Sequence, residues 1–202
     1  MSTFKYPKAM DPHIRLVLSG EYNIDLDHVS SVVDLGANVG SFAIWALNKW
    51  PACHVYCYEP SKSNFEILRE NAKSCPEGKI ALVNAAVGDP SLTKLYAGKN
   101  NPGECSLMKL GEQADEFEDV TTVTPGILPP ADVLKLDVEG SEGYILEELR
   151  KKGPLAYRAV LLEFHGDEVR RRVDAVLSDY VLVGGQVYGP HRGVLKYLRK
   201  TP

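Results

Sequence analysis

The sequence lacks the features that would place it in a membrane or in an oxidising compartment. No stretch approaches the roughly 20 consecutive apolar residues that a membrane-spanning helix needs, and residues 1–11 contain no apolar run of the kind found in a signal peptide. The cysteines form no Cys-x-x-Cys pair and have no histidine pair at zinc-finger spacing. We therefore expect a cytoplasmic protein with four reduced, structural cysteines: Cys53, Cys57, Cys75 and Cys105.

An excess of positive charge is also missing. Acidic residues outnumber basic ones by 27 to 23, and the formal net charge is -4. A strongly basic chain would indicate nucleic acid or anionic lipid as a partner, so we expect neither. Residues 191–200 are locally basic, and we interpret them as a solvated edge. There are no internal repeats or low-complexity tracts, and 202 residues suffice for one hydrophobic core, so we expect one domain spanning 1–202.

What the sequence does contain is an alternation of short apolar runs with helical segments. Such alternation is typical of a mostly parallel sheet covered by helices on both faces. We predict an α/β, doubly wound, Rossmann-like fold with seven strands and an antiparallel C-terminal edge. The predicted strands are 32–35, 54–58, 80–85, 133–136, 159–164, 180–183 and 194–198, and the predicted helices are 41–49, 61–74, 142–152 and 167–177.

The middle of the chain departs from this alternation. Residues 92–97, 106–110 and 120–123 have the composition of edge strands, and Gly98 to Gly103 form a strong turn signal. We interpret 89–130 as an insertion that faces the substrate, and 1–30 as a lead-in or lid.

The first predicted strand ends in a glycine turn, Asp34-Leu35-Gly36-Ala37-Asn38-Val39-Gly40. The glycines let the backbone approach a ligand. Asn38 stands where a dinucleotide fingerprint has its middle glycine, and a pyrophosphate would need that bare helix N-terminus. A carboxylate such as Asp34 suits the charged tail of S-adenosylmethionine instead. The alternative is an ordinary strand–helix turn with a capping Asp.

The next two strand ends add candidate contacts to an adenosine. Glu59 can accept both ribose hydroxyls, although an acid there does not distinguish S-adenosylmethionine from NAD. It is also explained by the dipole of the helix that follows Pro60. Asn84 and the small residue Ala86 leave room for a flat adenine, but they are equally consistent with a plain loop.

The fourth and fifth strand ends carry the candidate chemistry. Lys135 and Asp137 share one face of their strand, either as a buried ion pair or with Asp137 beside the transferred methyl group. Glu163 and His165 share a face of the next strand, and a histidine is the side chain best tuned to accept a proton at neutral pH. Asp137, Glu163 and His165 could also ligate a divalent cation; we favour no metal.

These blocks together resemble the FkbM family of S-adenosylmethionine-dependent methyltransferases, from about Gly20 to His165. The matching segments are Gly20-Glu21-Tyr22, Val33 to Gly40, Tyr58-Glu59-Pro60, Asn71-Ala72, Ala86 to Asp89, Leu134 to Glu142 and Glu163-Phe164-His165. The resemblance implies a seven-strand methyltransferase sheet and O-methylation of a sugar or natural-product hydroxyl. It also implies that Asp34, Gly36 and Asn38 line the methionine end of the cofactor, Glu59 its ribose, and that Tyr22 closes over it.

The predicted site therefore has two parts. The cofactor-binding set is Tyr22, Asp34, Gly36, Ala37, Asn38, Gly40, Glu59, Pro60, Asn84, Ala86 and Asp137, and the catalytic set is Asp137, Glu139, Glu163 and His165. Three alternatives stay open: an NAD-dependent oxidoreductase, an RNA or protein methyltransferase on the same fold, and a non-catalytic cofactor-binding module. Residues 137–140 do not form the Asp/Asn-Pro-Pro-aromatic motif of adenine amino methylation.

Overall fold

The structure is a computed structural model that describes residues 4–97, 104–108, 117–189 and 191–200. Its helices are α1 Asp11–Leu18, α2 Ser41–Lys49, α3 Lys62–Ala72, α4 Glu142–Arg150 and α5 Asp167–Val176, and short 3-10 helices cover Lys8–Met10 and Pro125–Ile127. Its strands are β1 Ser31–Leu35, β2 His54–Tyr58, β3 Ile80–Val83, β4 Ala86–Val87, β5 Lys94–Ala97, β6 Cys105–Ser106, β7 Phe117–Asp119, β8 Thr122–Val123, β9 Val133–Leu136, β10 Ala159–His165, β11 Tyr180–Gly189 and β12 Arg192–Arg199.

Seven strands form the central sheet, in the order β11-β12-β10-β9-β1-β2-β3. The pairs from β10 through β9, β1 and β2 to β3 are all parallel, while β12 is antiparallel to both β10 and β11. The predicted fold class is confirmed. The last strand, β12, lies inside the sheet rather than at its edge. Because β12 is antiparallel to β10, its first residue, Arg192, lies at the carboxyl ends of the parallel strands.

The central strands β1, β9 and β10 are buried on both faces, since successive side chains of a strand point to opposite sides and nearly all of theirs are buried. In β1, Val32 joins a core that includes Phe42 of α2. Val33 and Leu35 join a second core that includes Ile145 of α4. A fully buried aliphatic side chain contributes about 1.5–3 kcal/mol, so the two cores hold the strand ends in fixed positions.

The short strands in the middle of the chain lie outside the central sheet. Strands β5, β6 and β7 form a separate three-stranded sheet, and β4 pairs with β8 in a parallel two-stranded sheet. The predicted strand 80–85 was wrong at its end, because Ala85 turns back onto Val83 and frees residues 86–87 to pair elsewhere. The predicted turn at 98–103 and residues 109–110 lie outside the described residues.

Two local features have clear sequence causes. Ser61 caps α3 as predicted, since its hydroxyl accepts the N–H of Asn64. Helix α1 was not predicted; Pro12, its second residue, suits the first helical turn, and the helix buries Ile14 and Val17. Within the described ranges, no helix is long and apolar enough to span a membrane. None of the four cysteines forms a disulfide within the part of the chain that the structure describes.

Candidate active site

A cleft opens at the carboxyl ends of β1, β2 and β9, where an open parallel sheet normally binds its ligand. Its empty space is about 780 Å³, which includes open solvent at its mouth. Its walls are formed by Met10, His13, Leu35, Gly36, Asn38, Tyr58, Glu59, Pro60, Ala85, Ala86, Val87, Leu95, Glu104, Cys105, Leu107, Asp137, Val138, Glu139, Ser141 and Arg192.

The predicted residues divide between the cleft wall and the layer behind it. Seven line the cleft: Gly36, Asn38, Glu59, Pro60, Ala86, Asp137 and Glu139. The others do not reach its wall: Tyr22, Asp34, Ala37, Gly40, Asn84, Glu163 and His165. Asn84, for example, donates its side-chain amide to the carbonyls of Glu59 and Pro60. It therefore shapes the wall from outside.

Glu59 stands at the end of β2 with its carboxylate held by backbone. Oε2 accepts the N–H of Asn38 at 2.7 Å and Oε1 accepts the N–H of Ser61 at 2.9 Å. Burial raises the pKa of Glu59 to about 7, against the lowering effect of those two N–H groups. The carboxylate is fixed at the cleft wall and retains lone pairs for further donors.

The glycine turn after β1 is pressed against the end of β9. Gly36 has φ +73°, and a Cβ at this position would lie 1.9 Å from the carbonyl oxygen of Asp137. Asn38 and Glu139, one on each loop, also have positive φ, of 51° and 53°. The two loops that line the cleft therefore fit together only with this backbone.

Asp34 lies behind the cleft, where it faces Lys135. The two residues are opposite each other in the β1–β9 pairing, both are almost fully buried, and Nζ of Lys135 lies 3.2 Å from Oδ1 of Asp34. The ammonium also donates to the carbonyl of Gly36 at 2.8 Å. Burial lowers the pKa of Lys135, but Asp34 and Asp137 outweigh it and raise that pKa to about 12.

Asp137 lines the cleft and contacts the same lysine, Lys135. Its Oδ2 lies 3.6 Å from Nζ of Lys135 and accepts the hydroxyl of Tyr22 at 3.5 Å. Burial alone would raise the pKa of Asp137, but Lys135, His13, His165 and Arg192 hold it below its usual range. Asp137 is thus an ionised carboxylate on the cleft wall, and Tyr22 supports it from the interior.

His165 lies between two carboxylates. Its Nδ1 is 3.0 Å from Oε1 of Glu142, and its Nε2 is 3.0 Å from Oε2 of Glu139. Burial lowers the pKa of His165, but the hydrogen bond to Glu142 and the nearby charges outweigh it and raise that pKa to about 10. Burial raises the pKa of Glu139, although His165 lowers it in part. Glu139, not His165, is the member of this group that faces the cleft.

Glu163 is buried and ion-paired with Arg192. One ligand atom each from Asp137, Glu163 and His165 lies within 4.8 Å of the others, so the grouping considered for a metal does form. However, Arg192 and Lys135 already contact Glu163 and Asp137, and both ring nitrogens of His165 face carboxylates. The protein's own cations balance this cluster, and the absence of a metal stays a prediction.

The comparison with known proteins identifies the family. Residues 34–198 match the sequence profile of the methyltransferase FkbM domain. The chain belongs to the FkbM methyltransferase family. It is 24% identical to the methyltransferase sdnD of Sordaria araneosa, over 73% of this chain and 71% of that protein. It is 27% identical to the hexuronic acid methyltransferase AglP of Haloferax volcanii, over 72% of this chain and 60% of AglP. Part of AglP's length thus lies outside the match.

Solved structures show the same fold at low identity. Fibrillarin of Aeropyrum pernix in complex with S-adenosyl-L-methionine superposes with a TM-score of 0.56 at 11% identity, covering 91% of this chain and 74% of that one. The FkbM methyltransferase is therefore an enzyme built on the Rossmann-like methyltransferase sheet. Family membership therefore excludes two of the alternatives, an NAD-dependent oxidoreductase and a non-catalytic cofactor-binding module.

The sequence of this FkbM methyltransferase did not indicate two residues that line the cleft, Arg192 and His13. Arg192 was included in a solvated basic edge, but it pairs opposite His165 in the β10–β12 ladder and lines the cleft. The signal that was available is topological: a last antiparallel strand begins where its parallel neighbour ends. His13 lies on α1, and no motif in the lead-in indicates it.

We expect Gly36→Ala to be far more damaging to the FkbM methyltransferase than Gly78→Ala. Both glycines have nearly the same backbone, φ +73° and +75°, but a Cβ at Gly78 meets nothing within 4 Å. The cost of positive φ, about 1–2 kcal/mol, is common to both variants. The difference in urea-unfolding free energy therefore measures the contact with Asp137, and equal values would contradict this packing.

Proposed function

We propose that the cleft binds S-adenosylmethionine and that the enzyme methylates a hydroxyl of a sugar or small natural product. The observation that supports this most is the distribution of charge along one cleft. Glu59 follows β2, Asp137 and Glu139 follow β9, and β1 with its glycine turn lies between these two strands. Apolar residues that include Tyr58 and Leu107 also line the cleft. Because the ribose of S-adenosylmethionine links the adenine to the sulfonium, Glu59 suits the ribose diol, Asp137 and Glu139 suit the sulfonium and its amino acid tail, and the apolar residues suit the adenine.

The donor set fits this cofactor better than a dinucleotide. A pyrophosphate needs cationic or N–H partners. Among the described lining residues, Arg192 is the only Lys or Arg, and it already contacts Glu163 and Glu104. A ligand with a positive sulfur and no phosphate is matched to a wall that carries Glu59, Asp137 and Glu139.

The two carboxylates that follow β9 have different environments and, we propose, different roles. S-adenosylmethionine supplies an electrophilic methyl group. Asp137, kept ionised by Lys135, provides negative charge beside the sulfonium. Glu139, whose pKa burial raises, accepts the acceptor's hydroxyl proton. The bound cofactor would supply its methyl group to the acceptor oxygen, with the electron pair of the broken S–CH₃ bond left on sulfur and the hydroxyl proton on Glu139.

A small hydroxylated acceptor is favoured over a nucleic acid. The acidic wall would repel a phosphate backbone, and the chain's net charge of -4 gives no electrostatic attraction to one. AglP is a hexuronic acid methyltransferase, and this relative supports a sugar acceptor here. A screen with methyl-labelled S-adenosylmethionine should label hydroxylated sugars or natural products. If only RNA were labelled, the proposed acceptor would be wrong and RNA would take its place.

Glu59→Gln is expected to weaken S-adenosylhomocysteine binding by about 10- to 100-fold. Hydrogen bonds to a charged group contribute about 1.5–3 kcal/mol, and glutamine keeps the shape while it loses the charge that two ribose hydroxyls would share. Isothermal titration calorimetry measures the change, with Glu70→Gln on the exposed surface as the matched control. Wild-type protein that binds NAD⁺ but not S-adenosylhomocysteine would overturn the proposed cofactor.

A further inference from the structure

Glu142 is a buried acid that was not among the predicted site residues. It begins α4 and has no exposed surface. Oε1 accepts the N–H groups of Val138 and Gly140 at 3.2 Å, and Oε2 accepts that of Gly140 at 3.1 Å. It therefore fixes the loop that carries Glu139. A full negative charge at a buried position needs partners, and these N–H groups are only part of them.

The remaining partner of Glu142 is His165. Its Nδ1 lies 3.0 Å from Oε1 of Glu142, and its Nε2 lies 3.0 Å from Oε2 of Glu139. Glu139 lines the cleft, whereas Glu142 and His165 do not. The three side chains thus form a continuous series of contacts from the interior beneath α4 to the cleft wall.

We propose that Glu142 is a positioning residue that acts through His165 on Glu139. Glu142 holds the imidazole in one orientation with a proton on Nδ1, so that the edge of the ring that carries Nε2 lies against the Glu139 carboxylate, at 3.0 Å. The role of Glu139 as the base rests on the proposed function. The series Glu142–His165–Glu139 itself rests on the distances above and does not depend on the identity of the acceptor.

The series affects the proton affinity of the base. A cationic imidazole beside Glu139 stabilises its ionised form, which is the form that can accept a proton. Without Glu142, the buried imidazole would lose its proton more readily, because burial disfavours its charge. Glu139 would then lose its cationic neighbour, and its pKa would rise further.

Other charges face the same imidazole and act in both variants compared below. They come from β9, β10 and β12, and they are Asp137, Glu163 and Arg192. Glu142 differs from them because it contacts the nitrogen that points away from the cleft. Removing its charge therefore acts on the side of His165 that faces away from Glu139, while a glutamine oxygen can still accept the N–H groups of the loop.

The test is an NMR titration of the imidazole nitrogens in wild type and Glu142→Gln. Glutamine keeps an acceptor for Val138 and Gly140 but removes the charge. His165 is assigned among the five histidines by its absence from His165→Gln. In wild type we expect both ring nitrogens protonated at neutral pH, with a pKa near 10. In Glu142→Gln we expect that pKa to fall by about 1 to 2, the equivalent of one hydrogen bond to a charged group.

The control is Glu148→Gln, the same change on the solvent side of α4, where Glu148 pairs with Lys151. It should leave the His165 titration unchanged. A wild-type His165 that titrates near its ordinary value, or a titration identical in Glu142→Gln, would overturn the proposal. Should Glu142→Gln not fold, the ¹³C carboxyl titration of Glu139 in His165→Gln tests the series from its other end. A rise of the Glu139 pKa supports the series, and no change refutes it.

The titration needs no acceptor, so it separates this proposal from the proposed function. A wild type that shows the expected titration but no methyl transfer would contradict Glu139 as base and leave the series intact. With an acceptor in hand, the acid limb of the kcat/KM profile should move to higher pH in Glu142→Gln. Glu142→Asp, which restores the charge, should move it back.

Discussion

Glu139→Gln is expected to lower kcat for methyl transfer by about 10²- to 10⁴-fold, the usual contribution of a positioned base. Glutamine has nearly the same shape, so the contact with His165 and the cleft wall should persist. Proton acceptance is what the variant loses. Binding of S-adenosylhomocysteine should change by less than about threefold, because the proposed ribose contact, Glu59, follows a different strand from Glu139. Steady-state kinetics and calorimetry on the same preparation measure both quantities.

The pH dependence of the wild type supplies a second test of Glu139. A base must be ionised to act, and burial raises the pKa of Glu139 to about 8. The value of kcat/KM should therefore rise as pH increases through about 8 and level off above it. The same profile for Glu139→Gln should lack this limb. A variant with wild-type turnover, or one that has lost S-adenosylhomocysteine binding together with turnover, would contradict the assignment.

Lys135→Met is expected to destabilise the fold by about 3–5 kcal/mol, the usual cost of removing one partner of a buried ion pair. Methionine fills similar space, so the loss is mainly electrostatic. Asp34 would remain fully buried with no cation near it, and Asp137 would lose its contact at 3.6 Å. Urea unfolding followed by circular dichroism measures the difference.

The double variant Asp34→Asn/Lys135→Met is the decisive control. It removes both charges in nearly the original volume, and it should recover most of the lost free energy of unfolding. Lys151→Met, which breaks an exposed pair with Glu148, should cost at most about 1 kcal/mol. If Lys135→Met behaved like Lys151→Met, the buried pair would contribute nothing to stability.

The parallel half of the fold was predictable because it depends on local pattern. Short β-branched runs, each followed by a helix, indicate strands buried on both faces, and all five parallel strands through β10 were located this way. The small sheets were not predictable in their pairing. Strand β4 has two residues and pairs with β8 some distance along the chain, and so short an element has no periodicity to detect.

The site was predictable as a set of strand ends but not as a set of contacts. Asp34 was assigned to the cofactor because its partner could not be seen. Its partner Lys135 is on another strand, and which residues face each other depends on the register of β1 and β9. The same holds for Arg192, which His165 meets only through the β10–β12 register. Strand register is established when the strands pair in the assembled sheet. It therefore could not be predicted from the sequence of one strand.

The strand order has a consequence for how this chain is made. Strand β1 is synthesised early, yet one of its two neighbours, β9, follows about a hundred residues later, and β12 completes the site last of all. During translation, β1 therefore has an unpaired hydrogen-bonding edge until β9 has been synthesised. Sheets with such long-range strand pairing fold slowly, and their unpaired strand edges are prone to aggregation until the pairing forms. Until β12 pairs with β10, Glu163 lacks its ion-pair partner Arg192.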